Sequence, residues 1–441
     1  MLEYDFKNQE IADIVNTMII YAVSEKASDI HFDPFEEGLK VRFRIDGVLQ
    51  PHTIVPIMYQ RNLVTRIKLI SNMNITESRL PQDGAIKGSI NGIDLDMRVS
   101  TLNTNLGEKV VIRVLDYSKS SDGLDSLGFS EQNLEKVKRM IQVPNGIILI
   151  TGATGSGKST TTYTMLKVLN TEDVNIITVE DPIEMNIEGI NQVQVNSEIG
   201  LTFGRVLRSI LRQDPNIILI GEIRDSETAQ IAVRASITGH VVFSTIHTNN
   251  SLSTIERLLD MDVERYLLSS ALTGVVSQKL ARRLCHNCCI ERETTSYEKE
   301  IFKRALGKNV IMVKDAAPGG CEKCRNGYSG RIAIQEVLLI NDEIRNAISN
   351  ENTPREELKR MVYTKDVTTL LQDGLNKVVE GITSFDEIYK LVEIENELDN
   401  LYDQEIGTKI DKEMDQKVMN GEFEEEEDQF DKTEVLDLNV N

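Results

Sequence analysis

Apolar residues recur along this chain with two periods, and the change from one to the other divides it. Ile11, Ile14, Val15, Met18, Ile19 and Ala22 fall on one face of a helix, and Ala27-Ser28-Asp29-Ile30-His31 then turns into extended chain. Leu39, Val41, Phe43 and Ile45 alternate with Lys40, Arg42, Arg44 and Asp46, the pattern of a half-buried strand, and Asp46-Gly47 is a hairpin turn signal. The alternation returns where Ile93, Leu95, Met97 and Val99 face away from Asp94, Asp96, Arg98 and Ser100, and a further strand is expected from Lys109 to Leu115. Residues 1–117 are therefore expected to form a small α+β domain, and the polar, turn-rich stretch beginning at Asp116 a linker over 118–128.

Beyond the linker the alternation stops and short, wholly apolar runs take over. Gly146–Thr151, Asn175–Glu180, Asn216–Gly221 and Val241–Ile246 are separated by helical stretches. That order predicts an α/β unit, a mostly parallel sheet with helices on both faces and a ligand at the carboxyl ends of its strands. It is expected over residues 129–392, with Arg331 to Ile340 as a late strand and helical segments reaching Val392.

The first of those runs leads into Gly152-Ala153-Thr154-Gly155-Ser156-Gly157-Lys158-Ser159, with Thr160 expected to open a helix. This is a P-loop: its backbone N–H groups and the helix N-terminus surround phosphate oxygens, Lys158 reaches the β- and γ-phosphates, and the Ser159 hydroxyl holds Mg²⁺. Carboxylates follow at the other strand ends, in Glu180-Asp181-Pro182-Ile183-Glu184, at Glu222 and at Asp225. Such groups can hold hydrated Mg²⁺ or orient and deprotonate water. Asp225, just before the helix expected over Ser226 to Ile237, also reads as an ordinary helix cap. Glu222 directly follows a buried strand, where an unpaired charge is costly.

Arginines Arg42, Arg44, Arg98 and Arg113 lie on the polar side of the first-domain strands, either solvated or reaching toward the phosphates, which a guanidinium binds through its planar fork. Arg205, Arg208 and Arg212 share one helical face, and spacing leaves them open between a salt-bridged surface and an intersubunit finger. His240 and His247 bracket the run Val241–Ile246, as structural residues or as sensors of the γ-phosphate.

Composition narrows the partners. The chain of 441 residues carries a formal charge of −21, of which residues 393–441, with 18 Asp+Glu against 4 Lys, contribute −14. The remaining body is mildly acidic, without tryptophan, and so poorly suited to neutralising or stacking on nucleic acid. No run of apolar residues is long enough to span a bilayer, and the first residues lack a signal-peptide pattern, so a cytoplasmic protein is expected. The five cysteines, Cys285, Cys288, Cys289, Cys321 and Cys324, lie within forty residues. Two Cys-x2-Cys turns separated by thirty-two residues suit one tetrahedral Zn²⁺ with four thiolates, in an element spanning about 284–326. Cys289 could replace Cys288 or stay free, and His286 is a weaker candidate. Four sulfur ligands leave no open position, so the metal is expected to be structural.

Several segments, taken in order from about residue 10 to 392, resemble the hexameric ATPases of type II secretion, type IV pilus assembly and competence pseudopilus systems. They are Ala27–His31, Val41–Gly47, Arg79–Gly84 and Arg98–Leu102 in the first domain. In the second they are the P-loop, an Asp box (Thr178–Glu184), the stretch from Leu207 to Pro215 with a Walker B region ending at Glu222, and a His box (Thr238–Thr248). The resemblance implies a RecA-like domain that hydrolyses ATP. It makes Glu184 the water-activating carboxylate and Glu222 a support for Mg²⁺, directly or through water. It brings Arg98 and Arg113 from the first domain, and Arg208 and Arg212 from the second, around the phosphates, and makes His240 and His247 the pair linking nucleotide state to domain position. It also implies a homo-hexamer that works on a polytopic membrane platform protein, peripheral to the cytoplasmic membrane through that partner.

The tetracysteine fits assembly motors rather than retraction motors, the nearest rival reading; a nucleic-acid translocase is disfavoured by charge. The chain begins almost at the first domain, so the additional amino-terminal domain by which larger members dock to a membrane-bound partner is expected to be missing. The acidic tail over 393–441 is outside the family pattern and is expected to be disordered.

Overall fold

The alternating segments of the first domain pair into one antiparallel sheet. In the structure, a computed structural model that describes residues 4–90, 93–115, 123–399 and 401, its strands are β1 (Asp29–Phe35), β2 (Gly38–Ile45), β3 (Val48–Pro56), β4 (Gln82–Ile90), β5 (Ile93–Thr104) and β6 (Gly107–Leu115), in the order β3-β2-β1-β6-β5-β4. Asp46 and Gly47 both take positive φ, 49° and 86°, as a two-residue type I′ hairpin turn requires. One face is apolar: Ile30, Phe32, Val41, Phe43, Met97, Val99, Val110 and Ile112 pack against the helices Ile11–Ser24 and Ile57–Ile70.

The other face is polar, and the register assembles on it a row that crosses four strands. Arg98 pairs with Arg113, Arg113 with Asp29, and Asp29 with Arg44. Because directly opposed residues project to the same side of a sheet, these four groups stand next to one another.

The second sheet contains β7 (Gly146–Thr151), β8 (Ile176–Glu180), β9 (Asn191–Gln194), β10 (Ile217–Ile220), β11 (Val241–Ile246), β12 (Leu272–Leu284) and, beyond the small ribbon of β13 (Ile290–Glu293) and β14 (Met312–Asp315), β15 (Tyr328–Leu339). Its order is β15-β12-β7-β11-β10-β8-β9, all parallel except for β15 against β12. The apolar runs are continuous because both faces are covered: Ile147 and Leu149 enter one core cluster, and Ile148 and Ile150 enter the other. The late strand thus starts at Tyr328, three residues before the expected Arg331.

Two boundaries shift. The P-loop helix starts at Lys158 rather than Thr160. Within the stretch expected to be a disordered acidic tail, residues 394–399 are helical, and Ile394, Leu398 and Leu401 are buried with Val378, Phe385 and Ile388. Residues 116–122, which include the first five residues of the expected linker, and 402–441 lie outside the described residues. No helix among the described residues is long and apolar enough to cross a membrane.

Candidate functional site

The P-loop joins the carboxyl end of β7 to the helix Lys158–Leu169, whose first turn contains Lys158 and Ser159. Ala153, Thr154 and Gly155 are exposed at the tip, and Lys158 Nζ donates to the carbonyl oxygens of Gly152 (2.8 Å) and Ala153 (3.1 Å). A side chain at Gly152 is excluded: its φ is +146°, and a Cβ would come within 2.4 Å of Gln278 O and 2.6 Å of Ser156 Oγ. Ser156 Oγ is buried without a partner among the described residues, as a group directed into an anion cradle would be. The loop therefore suits the phosphates of ATP.

Beneath the loop lies a residue that motif reading missed. Gln278 of β12 donates from Nε2 to Ser156 O (2.8 Å) and accepts at Oε1 from Thr161 Oγ1 (2.9 Å). It ties the loop to the first turns of its helix from below. The sequence carried little signal for it, since Gln278 stands between Ser277 and Lys279 and reads as one polar residue among several, although it is 1% exposed and a buried amide is retained only where its hydrogen bonds are met.

Two carboxylates act on the P-loop lysine. Burial pushes the Lys158 ammonium down from its ordinary range, and Glu222 and then Glu184 oppose that by their charge. Both lie at strand ends, Glu222 just beyond β10 and Glu184 four residues past β8. Glu222 is held between Arg224 (Nη2 to Oε1, 2.5 Å) and His247 (Nε2 to Oε2, 3.5 Å). Glu184 is exposed, but its backbone is anchored: its N–H donates to Tyr163 Oη at 3.2 Å, and Tyr163 in turn donates to the buried carboxylate of Glu180. Glu180 also accepts from Thr178 Oγ1 (2.6 Å) and Gln192 Nε2 (3.1 Å), so its charge is structural. Burial and Glu180 together raise the Tyr163 phenol far above its ordinary value, which keeps it a neutral donor. Asp225 accepts from Thr228 N (2.8 Å), the cap its position suggests.

Of the arginines expected at the site, Arg98 reaches across the domains. Arg98 Nη2 donates to Ile183 O (2.8 Å), the residue before Glu184. Its row neighbour Arg113 is engaged at 3.2 Å by Asp29, which also faces Arg44 at 3.7 Å. Arg208 and Arg212 do not turn toward the P-loop in this chain. Arg208, on the exposed side of the helix Phe203–Ile210, pairs with Glu227 (2.6 Å), and the exposed Arg212, two residues past the helix, folds back to Arg208 O (2.6 Å).

The histidines separate. Thr151 pairs with Ile246 in register, and Thr248 N donates to Thr151 Oγ1 (3.1 Å), so His247 stands beside the P-loop. His240 precedes β11 at its other end, beside Gly146, with Nδ1 at 2.8 Å from Ala235 O. At about 3.3 Å per residue, the length of β7 puts it roughly 20 Å from the loop. The two histidines thus lie at opposite ends of a parallel strand, with His247 at the carboxyl end, where ligands of such sheets bind.

The cysteines converge where β12 ends and β15 begins. The sulfurs of Cys285, Cys288, Cys321 and Cys324 all lie within 4.8 Å of one another, and Cys289 is outside the group. Four thiolates about 2.3 Å from a tetrahedral Zn²⁺ stand about 3.8 Å apart, and the Cys285–Cys321 and Cys288–Cys324 separations are 3.8 and 3.5 Å. The donor set fits zinc. Gly320, with φ +68°, leaves room for this turn, since a Cβ there would meet Gly327 N at 2.6 Å and Cys324 Sγ at 2.8 Å.

The arrangement can be compared with known proteins. Residues 5–390 match the model of the family described as type II/IV secretion system protein. The type II secretion system protein E of Dickeya dadantii is 46% identical over 386 residues, 87% of this chain and 76% of that protein. The type IV pilus assembly ATPase PilB of Acinetobacter baylyi is 42% identical over 385 residues, 86% of this chain and 66% of that protein. Among solved structures, the pilus retraction motor PilT with bound ADP superposes with a TM-score of 0.57 at 26% identity, covering 86% of this chain and 96% of PilT. A match over most of the chain, with the P-loop and its carboxylates in place, settles the class: this chain belongs to the type II/IV secretion system protein family and is an ATP hydrolase of the secretion and pilus type.

Proposed function

We propose that this chain is the motor that turns ATP hydrolysis into assembly of a type IV pilus, a competence pseudopilus or a type II secretion pseudopilus. It works as a ring of six copies at the cytoplasmic face of the membrane, against a polytopic platform protein. The observation that carries this reading is the hydrogen bond from Arg98 to Ile183 O, which joins the first domain to the loop bearing Glu184. A site shared between two bodies can convert a change of charge at the γ-phosphate into movement of one body on the other.

Lys158 and the loop amides bind the phosphates, and Ser159 and Glu222 are the ligands for Mg²⁺, Glu222 directly or through water. The metal supplies charge neutralisation on the phosphate oxygens. Glu184, held by Tyr163, orients the attacking water and takes its proton. Arg98 and Arg113 close on the phosphates from the first domain. Arg208 and Arg212, which face outward in one copy, act where copies meet. His247 links Glu222 to the His box. Cys285, Cys288, Cys321 and Cys324 hold Zn²⁺ as a structural crosslink.

Retraction would use the same chemistry; the tetracysteine and the assembly relatives favour assembly. Replacing Glu184 by Gln should lower kcat about 10²–10⁴-fold, the usual contribution of a general base, with nucleotide binding retained. Expressed in cells lacking their own assembly ATPase, the wild-type chain should restore surface filaments or secretion, and E184Q should not. Full hydrolysis by E184Q would remove the role of Glu184, and faster filament loss on expression of the wild type would make this a retraction motor.

A further inference from the structure

Although the chain has 70 Asp+Glu against 49 Lys+Arg, one of its pockets is basic. A cavity of about 420 Å³ opens at the seam between the helix Ser296–Leu306, which belongs to the metal-bearing insertion, and the helix Leu370–Val379. Four cations line it, Lys303, Arg304, Lys308 and Lys365, and no carboxylate among the described residues does. All four are exposed, and none makes an ion pair with a described residue. The seam is held by Gln372, whose Nε2 donates to Ala305 O at 3.1 Å. Leu401, the last described residue, lies on the rim.

The chain therefore leaves the structure from this pocket's own wall, and its remaining forty residues have the opposite charge. Residues 402–441 carry 14 Asp+Glu against 4 Lys, with Asp403 and Glu405 at once beyond the rim and the run Glu424-Glu425-Glu426-Glu427-Asp428 further on. A random coil of about 25 residues spans roughly 25–30 Å, so that run can return to its starting point, at an effective concentration on the order of millimolar. Four cations in one pocket repel one another and gain from a shared anionic partner.

We propose that the acidic segment 402–441 docks in this pocket within its own copy, and by doing so clamps the metal-bearing insertion onto the carboxyl-terminal helices. The ligand class is an acidic peptide, and the source is the chain itself.

The test uses the full chain. Hydrogen exchange in segments 303–308 and 365–376 should be about tenfold slower in the wild type than in the variant E424Q/E425Q/E426Q/E427Q/D428N, with the difference lost in high salt. K303E/K308E should lose the same protection from the pocket side, with the P-loop sheet unaffected. Zero-length carbodiimide coupling in a mixture of ¹⁴N- and ¹⁵N-labelled protein should join Lys303, Lys308 or Lys365 to tail carboxylates of the same label. Equal exchange in the wild type and the neutralised variant would overturn the docking. Crosslinks found only between differently labelled copies would overturn the intramolecular assignment and make the tail a link between neighbours.

Discussion

Replacing Gln278 by Leu isolates the support under the P-loop without touching a group that meets nucleotide. Leucine keeps most of the volume and removes both hydrogen bonds, those to Ser156 O and from Thr161 Oγ1. Each bond is worth about 1 kcal/mol net, and a buried carbonyl or hydroxyl left unpaired costs about 1–3 kcal/mol. Ser156 and Thr161 are 5% and 2% exposed, so water cannot replace the lost partner. The expected total is about 2–4 kcal/mol, divided between the fold and the shape of the loop. If about 1.4 kcal/mol of it falls on the loop, the Kd for Mg-ADP rises about tenfold. Urea unfolding gives the whole cost, and titration calorimetry with Mg-ADP gives the part felt by the site. If unfolding shows the full loss while Kd is unchanged, Gln278 is a core residue only and the buttress reasoning fails.

Three other outcomes are expected. Tyr163→Phe leaves Glu180 without one of its three donors and frees the Glu184 amide; kcat should fall about tenfold, roughly 1.4 kcal/mol, with KM little changed, and equal loss in both by steady-state kinetics would contradict positioning of Glu184. Cys288→Ser should release the metal and lower the Tm, whereas Cys289→Ser, outside the sulfur cluster, should alter neither; metal analysis with calorimetric melting reads both. Burial, with the Glu336 carboxylate beside it, pushes the Glu397 carboxyl up to about 8; from its unfolded value of about 4.3 up to that point the native state holds a proton that the unfolded chain releases, so stability falls as pH rises through this window, and urea unfolding at several pH values should show a shallower fall in Glu397→Gln.

How far the residues announced these features depends on how local each feature is. The parallel sheet was legible because its strands are apolar on both faces, and the P-loop because its glycines and lysine are contiguous. The tetracysteine was legible through spacing alone. The separation of the histidines was less legible, because His240 and His247 are close in sequence, yet an extended strand holds its ends apart. The rule that ligands lie at carboxyl ends of parallel strands puts His247 nearer the P-loop. The tail boundary was hidden by composition: Ile394, Leu398 and Leu401 have helical spacing, but they sit among acids whose charge dominates the local pattern. Gln278 and Tyr163 act through contacts between the P-loop or its helix and strands distant in sequence, and partners at such separations carry no local signature.

The contacts between the two domains are of a different strength from the cores within them. At the nucleotide end Arg98 donates to Ile183 O. At the metal end Arg325 pairs with Glu25, and Gly330 N donates to Asp46 Oδ2 at 2.9 Å. The Arg325–Glu25 pair is 47% and 28% exposed, so it contributes at most about 1 kcal/mol. Each domain, by contrast, buries its own apolar cluster, and a single leucine in such a core is worth about 2–5 kcal/mol when truncated. The first domain is therefore fixed internally and held loosely on its neighbour, the arrangement required of bodies that move as units. Raising salt to about 0.5 M, where the Debye length falls to roughly 4 Å, should weaken the Arg325–Glu25 contact and leave both cores intact. Small-angle scattering would then show a larger radius of gyration with unchanged circular dichroism, and Arg325→Ala should reproduce it at low salt. An unchanged radius in both cases would mean that the domains are held by more than these polar contacts, and that the first domain does not move independently of the P-loop sheet.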